Sequence, residues 1–302
     1  MEEKGIISTI QRYSIKDGPG IRSTVFMSGC NLRCKWCSNP ELLDMSPKYM
    51  YFENRCVRCG SCVDTAVNNS ISLSSNGCII DREMCTNLDE CMEICPKEAF
   101  EKIGMEITAD DLVKKLLRDK VFYSQSGGGT TFSGGEPALQ ARFVIEAAQK
   151  LRQYGINTAL DTAGAVKWDI LSDIINHMDV VLYDIKTYKT KNHIAFTGID
   201  NGIILENAQR IAKLKKDMIV RLIIVPGFND SWEDLISRVN FVKTLGSSVK
   251  RIDFIQYHTL GVGKYKRLGM KYQITKIKKL DTKLIEKVMK IAADTGIKVT
   301  LQ

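Results

Sequence analysis

Three thiols within eight residues constrain this chain more than any other feature. Cys30, Cys34 and Cys37 stand in the run Gly29-Cys-Asn-Leu-Arg-Cys-Lys-Trp-Cys37, a C-x3-C-x2-C spacing. Only a short loop can turn side chains at that spacing inward onto one centre. Thiolates are soft ligands that select zinc, copper(I) or iron–sulfur clusters. A structural zinc site wants a fourth ligand close by and a closed tetrahedron. A [4Fe–4S] cube held by three cysteines instead leaves one iron without a protein ligand, and an open metal position is where a small molecule binds. Three thiols rather than four are therefore a functional statement, with zinc or ordinary core thiols as the alternatives.

At 302 residues, 44% hydrophobic and 26% charged, the chain is long enough for one large α/β barrel or two modest domains. No apolar run reaches the ~20 residues that span a bilayer, and the Met1-to-Gly5 stretch carries no apolar leader. The expectation is a cytoplasmic protein. Thiols stay reduced there, so ten cysteines point to metal rather than disulfides. The net charge of +8 owes much to Lys264, Lys266, Arg267, Lys271, Lys276, Lys278, Lys279, Lys283 and Lys287. That stretch reads as a solvated face, with a docking patch for an acidic protein as the alternative. No nucleic-acid motif accompanies it.

Ser23–Met27 predicts a buried strand running straight into the cysteine loop, after the turn signal Asp17-Gly-Pro-Gly. Residues 51–103 hold the other seven cysteines and few long apolar stretches, so they read as an insert held by metal. From residue 104 the pattern alternates. Thr108 caps a helix at 112–117, and strands are expected at 130–133, 157–161, 180–184, 218–225, 251–256 and 297–301. Helices are expected at 138–154, 168–176, 205–214, 232–245 and 281–294. Such alternation implies βαβ units and a parallel sheet. About 250 residues remain outside the insert, near the size of a full barrel.

In such barrels the chemistry gathers at the C-terminal strand ends. There the sequence places Ser133-Gly134-Gly135-Glu136-Pro137, whose paired glycines would let a ligand approach the backbone. Asp161 ends the third strand. Asp184 ends the fourth, and Lys186 shares its face by the period of two. A structural ion pair is the generic reading of that last pair. His258 follows the sixth strand in His258-x2-Gly261-x2-Lys264.

The cysteine loop, followed by Ser38-Asn39-Pro40 and preceded by Asp17-Gly-Pro-Gly-Ile-Arg22, resembles the radical S-adenosylmethionine (SAM) enzymes. More narrowly, the chain resembles the activating enzymes of glycyl-radical enzymes, the group that includes pyruvate formate-lyase activating enzyme. The likeness runs from Gln11 to Tyr265 with the motifs in order. It implies an α/β fold, a partial (β/α)6 TIM-like barrel over 1–50 and 104–302, with a small ferredoxin-like insert at 51–103. It also implies that Cys30, Cys34 and Cys37 hold a [4Fe–4S] cluster. Trp36, Cys37, Ser38, Asn39, Gly134, Gly135, Glu136, Asp161, Asp184, Ile185, Lys186 and His258 would then meet SAM, with Lys186 and His258 among the catalytic residues. Asp161, Thr162 and Asp184 are implied as ligands of a monovalent cation. Arg221 and the Val225–Asp230 loop also resemble the family, with a structural role as the alternative.

In the insert, Cys56-x2-Cys59-x2-Cys62 and Cys85-x5-Cys91-x3-Cys95-Pro96 resemble the bacterial ferredoxin run. Because the fourth cysteine of each run ligates the other run's cluster, one auxiliary cluster would take Cys56, Cys59, Cys62 and Cys95. A second would take positions 85, 88, 91 and 66, but Leu88 and Ala66 leave it only Cys85 and Cys91. Cys78 offers a third thiol there, and a zinc-stapled module is the alternative for the insert.

The activity implied is reductive cleavage of SAM to methionine and a 5′-deoxyadenosyl radical. That radical would take hydrogen from a glycine of a large partner enzyme, with flavodoxin or ferredoxin as electron donor and this chain as a monomer. Two other functions remain: a radical SAM enzyme acting on a peptide or small molecule, and a ferredoxin-like electron carrier. The carrier reading leaves Gly134–Glu136, Lys186 and His258 without work.

Overall fold

A computed structural model describes residues 3–276 and 278–302; Met1 and Glu2, where the leader reading starts, and Ile277 lie outside it. Two antiparallel strands come first, β1 (Lys4–Ser14) and β2 (Arg22–Met27). The insert contributes β3 (Lys48–Tyr51), β4 (Ile71–Ser74), β5 (Gly77–Ile80) and β6 (Phe100–Ile103). After it come β7 (Met105–Thr108), β8 (Gly129–Gly134), β9 (Asn157–Thr162), β10 (Val180–Asp184), β11 (Met218–Ile224), β12 (Val249–Gln256) and β13 (Lys298–Leu301). One nine-stranded sheet runs in the order β13-β12-β11-β10-β9-β8-β2-β1-β7. Every pair from β2 to β13 is parallel, while β1 and β7 extend the β2 edge antiparallel. β7 and β13 end the order, so the barrel is partial and open, as the family resemblance implies.

The sheet has two unlike faces, and strand periodicity builds both. Outward residues such as Val25, Phe132, Leu160, Val181, Val220 and Phe254 pack in the large core with the helices. Helix Ala141–Gln153 buries Phe143, Val144, Ala147, Ala148 and Leu151 there, the stripe an amphipathic helix presents. Inward, Ala159, Val180, Leu182 and Ile219 form a small apolar plug. Two residues further along β9, β10 and β11 stand Asp161, Asp184 and Arg221, so a charged layer sits directly above the plug.

β1 differs from expectation, which places a strand only at Ser23–Met27 in this region. Most of its eleven residues are polar or half-exposed, and it is strand because β2 offers a free edge. Helices Lys120–Ser126, Thr190–Thr197 and Val262–Arg267 also lie outside the expected set. The Asp17–Arg22 turn is bonded to β2 and β8, Asp17 accepting from Thr24 Oγ1 (2.7 Å) and Thr131 Oγ1 (2.6 Å). Arg22 is fully buried and donates to Thr131 Oγ1 (2.6 Å), the Thr130 carbonyl (2.7 Å) and Asn157 Oδ1 (3.0 Å).

The insert leaves the barrel through the β3–β6 pairing, Lys48↔Ile103 to Tyr51↔Phe100. Beyond that neck it has its own small core of Cys62, Ile71, Cys85, Leu88, Cys91, Ala99 and Phe100. Among the described residues no helix is long and apolar enough to cross a membrane.

Candidate active site

The cysteine loop lies over the strand ends because neighbouring segments take up its backbone groups. The Gly29 and Cys30 amides donate to Leu42 and Leu43, and those of Arg33 and Lys35 donate to Thr197 and Phe196. Helix Val262–Arg267 straps the far side. Lys264 Nζ reaches Asn39 Oδ1 (2.9 Å) and Glu41 Oε1 (2.5 Å), and Tyr265 Oη donates to the Cys37 carbonyl (3.1 Å). Gly261 packs so closely that a Cβ there would sit 2.7 Å from Ser38 backbone. The Gly261-to-Lys264 part of the His258 motif is thus a clamp on the loop.

One cavity gathers most of the residues singled out by sequence. It is lined by Cys30, Cys34, Trp36, Cys37, Ser38, Asn39, Gly134, Gly135, Asp161, Thr162, Asp184, Lys186 and His258. Lys16, Asp17, Ser133, Arg221, Ile223 and Gln256 line it as well; of these, Lys16, Ile223 and Gln256 were not singled out by sequence. Trp36 is buried against Phe196 and Phe228, with ring centroids 5.9 and 6.1 Å away. His258 is exposed at the mouth.

Two of the expected ligand-binding residues, Ile185 and Glu136, do not line this cavity. Ile185 is buried in the helix-side core, and what it offers the site is its amide bond to the Arg221 carbonyl (3.0 Å). Glu136 is 1% exposed and turns away from the cavity. It accepts from Thr162 Oγ1 (2.7 Å), Ala163 N (3.1 Å) and Ala138 N (3.2 Å), tying the ends of β8 and β9 together. Burial pushes its carboxyl up to about 7. The glycine pair lines the cavity and has a steric reason as well. A Cβ on Gly134 would meet Met27 N at 2.4 Å, and one on Gly135 would meet Gly29 O at 2.1 Å. The pair lets β8 pass under the root of the cysteine loop.

The cavity floor is a charged chain. Ser133 Oγ donates to Asp161 Oδ2 (2.5 Å), and Arg221 bridges Asp161 Oδ1 (2.7 Å) and Asp184 Oδ1 (2.7 Å). Lys186 Nζ donates to Asp184 Oδ2 (2.5 Å). Burial alone would raise the Asp184 carboxyl, but Arg221 and Lys186 outweigh it and hold the group well below the usual carboxylate range. Burial would lower Lys186, and Asp184 keeps it well above its ordinary value instead. For Asp161, burial prevails over Arg221 and pushes the carboxyl up to about 6. The cation expectation meets a competitor here, since the Arg221 guanidinium already spans both carboxylates.

The Val225–Asp230 loop carries a positioning network. Asn229 Nδ2 donates to the Lys186 carbonyl (2.6 Å), and buried Arg238 donates to the Asn229 carbonyl (2.6 Å) while pairing with Asp234 (2.8 Å). Asp234 in turn accepts from Thr187 Oγ1 (2.6 Å) and Tyr188 N (2.9 Å).

In the insert, Cys56, Cys59, Cys62, Cys78 and Cys95 line one recess. Cys78 is therefore not beside Cys85 and Cys91 as a third ligand. Its Sγ lies 3.5 Å from that of Cys62 and 4.0 Å from that of Cys56. Its strand is drawn there by the bond from Cys78 N to Tyr51 Oη (2.8 Å). Cys85 and Cys91 are buried with Leu88 and Ala66 in the insert's apolar core. All ten cysteines are free thiols. At the barrel site burial pushes Cys30 up to about 11 and Cys34 up to about 12. Three free thiols facing a polar cavity fit a cluster with one open iron, and the cavity floor fits a zwitterionic, amino-acid-bearing cofactor.

The radical SAM superfamily profile matches residues 24–239. The chain belongs to the radical SAM superfamily. Membership implies a [4Fe–4S] cluster and SAM. The choline trimethylamine-lyase activating enzyme of Oleidesulfovibrio alaskensis is 35% identical, over 91% of this chain and 90% of that one. The 4-hydroxyphenylacetate decarboxylase activating enzyme of Clostridioides difficile is 34% identical, over 97% and 95%. This radical SAM chain therefore sits among activating enzymes. A solved domain of pyruvate-formate lyase-activating enzyme from Bacteroides vulgatus shares the fold, with a TM-score of 0.50 and 24% identity over 58% of this chain and 99% of that domain.

Proposed function

We propose that this chain activates a glycyl-radical enzyme, with Cys30, Cys34 and Cys37 holding the catalytic cluster and SAM lying over the Asp161–Arg221–Asp184–Lys186 floor. The observation that carries this reading is the single cavity shared by the loop thiols and the strand-end charges. When bound, the cluster and SAM supply a 5′-deoxyadenosyl radical by one-electron reductive cleavage. The chain's residues do the rest. Lys264 and Tyr265 hold the cysteine loop in place, Trp36 shields it, and Asn229 sets the backbone of Lys186. Lys186 and Arg221 present fixed positive charge to a carboxylate, while Asp161 and Asp184 accept from an ammonium group. A monovalent cation at Asp161, Thr162 and Asp184 requires Arg221 to release one of its two carboxylates. The open barrel admits a glycine-bearing loop of the partner past His258.

The Cys56–Cys59–Cys62–Cys95 recess holds one auxiliary [4Fe–4S] cluster in this reading. The second site is filled by Leu88 and Ala66, which pack in the insert core. Flavodoxin or ferredoxin supplies the electron, and the chain acts as a monomer in the cytoplasm. The two relatives named above serve different lyase and decarboxylase partners, so the partner must be found by experiment. The test is anaerobic reconstitution, reduction, and measurement of 5′-deoxyadenosine from SAM, with the Cys30/Cys34/Cys37→Ala variant as control. A glycyl radical on a candidate partner, seen by electron paramagnetic resonance, completes the case. Cofactor cleavage without radical transfer to any glycyl-radical enzyme would point to a peptide or small-molecule substrate instead.

A further inference from the structure

The auxiliary recess contains one thiol more than a cube requires. Cys56, Cys59, Cys62 and Cys95 account for the four irons, and Cys78 remains. Its placement is specific. The hairpin of β4 and β5 carries it over the recess, and its backbone amide is fastened to Tyr51 Oη at 2.8 Å. Gly77, just before it, has φ +127° and no room for a Cβ against the same Tyr51 hydroxyl, at 2.3 Å. The hairpin is thereby locked with the Cys78 sulfur 3.5 Å from Cys62 Sγ and 4.0 Å from Cys56 Sγ.

Backbone amides also face sulfurs of this set. Arg58 N lies 3.4 Å from Cys56 Sγ and Ala99 N lies 3.3 Å from Cys95 Sγ. Donors aimed at ligand sulfurs are one of the levers that set a cluster's potential, because they stabilise the more negative, reduced state. The sulfur of Cys62 has the thiol of Cys78 beside it, 3.5 Å away.

We propose that Cys78 is not a ligand of the auxiliary cluster but a thiol that donates its S–H to the sulfur of Cys62, with Cys56 as the second neighbour, and raises the cluster's reduction potential. Cys78 is a positioning and tuning residue in this role. No bond to iron forms or breaks; one electron enters the cluster from an external reductant, and the S–H contact strengthens as the sulfurs gain charge. The inference rests on the reading that the recess holds a cluster.

The experiment compares the reconstituted full chain with its Cys78→Ala and Cys78→Ser variants by iron count and by a potential titration followed by electron paramagnetic resonance. The wild type should hold about eight irons, four per cube, and Cys78→Ala should keep them all. The auxiliary cluster should become harder to reduce in Cys78→Ala, by about tenfold in the reduction equilibrium, or ~59 mV for one electron. Cys78→Ser restores a donor and should recover most of that shift. Loss of about four irons in both variants would make Cys78 a ligand and overturn the proposal. Full iron with an unmoved potential would make it a bystander, which also overturns it. A wild type with only about four irons would instead sink the auxiliary-cluster reading itself.

Discussion

The two cysteine centres of this chain are built on opposite principles. The barrel loop is held by hydrogen bonds and ion pairs of the protein itself. Its backbone amides are bonded to the 40–43 turn and the 196–197 helix end, Lys264 and Tyr265 strap it, and a salt-bridged floor lies beneath. The insert is a loop-rich segment with a small core, in which several of the buried side chains are themselves cysteines. Cys59 is exposed, and the hairpins converge on a recess rather than on packed side chains. A small unit that cannot bury enough apolar surface needs a staple, and metal–thiolate bonds supply one. The catalytic centre should therefore survive loss of metal as a shaped cavity, while the insert should not survive as an ordered unit.

The largest effect expected is on the metal-free protein. Limited proteolysis after chelation should cut within residues 52–99 and spare the barrel. Equal resistance of both regions would erase the contrast. Next is Arg221→Ala, which strips the shared counter-charge from Asp161 and Asp184. Breaking such a buried group costs about 3–5 kcal/mol, read as a lower unfolding midpoint, and SAM cleavage should be lost with it. A variant of unchanged stability would show that the floor is less buried in function than in structure.

A middle-sized effect is expected for Lys264→Met. Glu41 would lose its cation, at a cost of about 1–3 kcal/mol. The spectroscopic signal of the barrel cluster should broaden or shift while the insert's stays the same. If instead the insert's signal moved, the strap would belong to the other centre.

The smallest effect is a pH slope at His193, which lies in neither centre. It is buried, its Nδ1 donates to the Ile199 carbonyl (2.7 Å), and its Nε2 has no hydrogen-bond partner among the described residues. Burial lowers its pKa below 6.5. A depressed base favours the fold above its unfolded pKa, and that contribution is lost as pH falls, because the unfolded chain then binds the extra proton. Melting temperature should fall below pH 6.5, and His193→Asn, which keeps a donor for Ile199, should flatten the slope. An identical slope in the variant would assign the acid sensitivity elsewhere.

Much of this was legible in the chain itself. The alternation of apolar runs placed the parallel strands and most of the helices within a few residues, because each element's period reports its own buried face. The cysteine spacing, Asp184, Lys186 and the strand-end glycines named the cavity correctly, since strand ends of a barrel must converge. Leu88 and Ala66, which break the second ferredoxin-like ligand set, pack in the insert core. Other features were not legible, for identifiable reasons. β1 has weak alternation and became a strand through β2's free edge. Glu136 and Ile185 lie within the right motifs but point elsewhere, which depends on the turn of the backbone at one residue. Lys264 was counted among the solvated charges, yet it meets buried Glu41 at 2.5 Å.

What the sequence determined by itself was local: which residues alternate, which thiols stand close enough to share a loop, and which metals such thiols accept. What only the tertiary structure decided was company. Arg221 lies across from Asp161 and Asp184 because β9, β10 and β11 are parallel and in register. Cys78 joins Cys62 because a hairpin folds over a recess sixteen residues back in the chain. Pairings of that kind depend on how distant segments pack, and packing is a property of the whole chain rather than of any stretch of it.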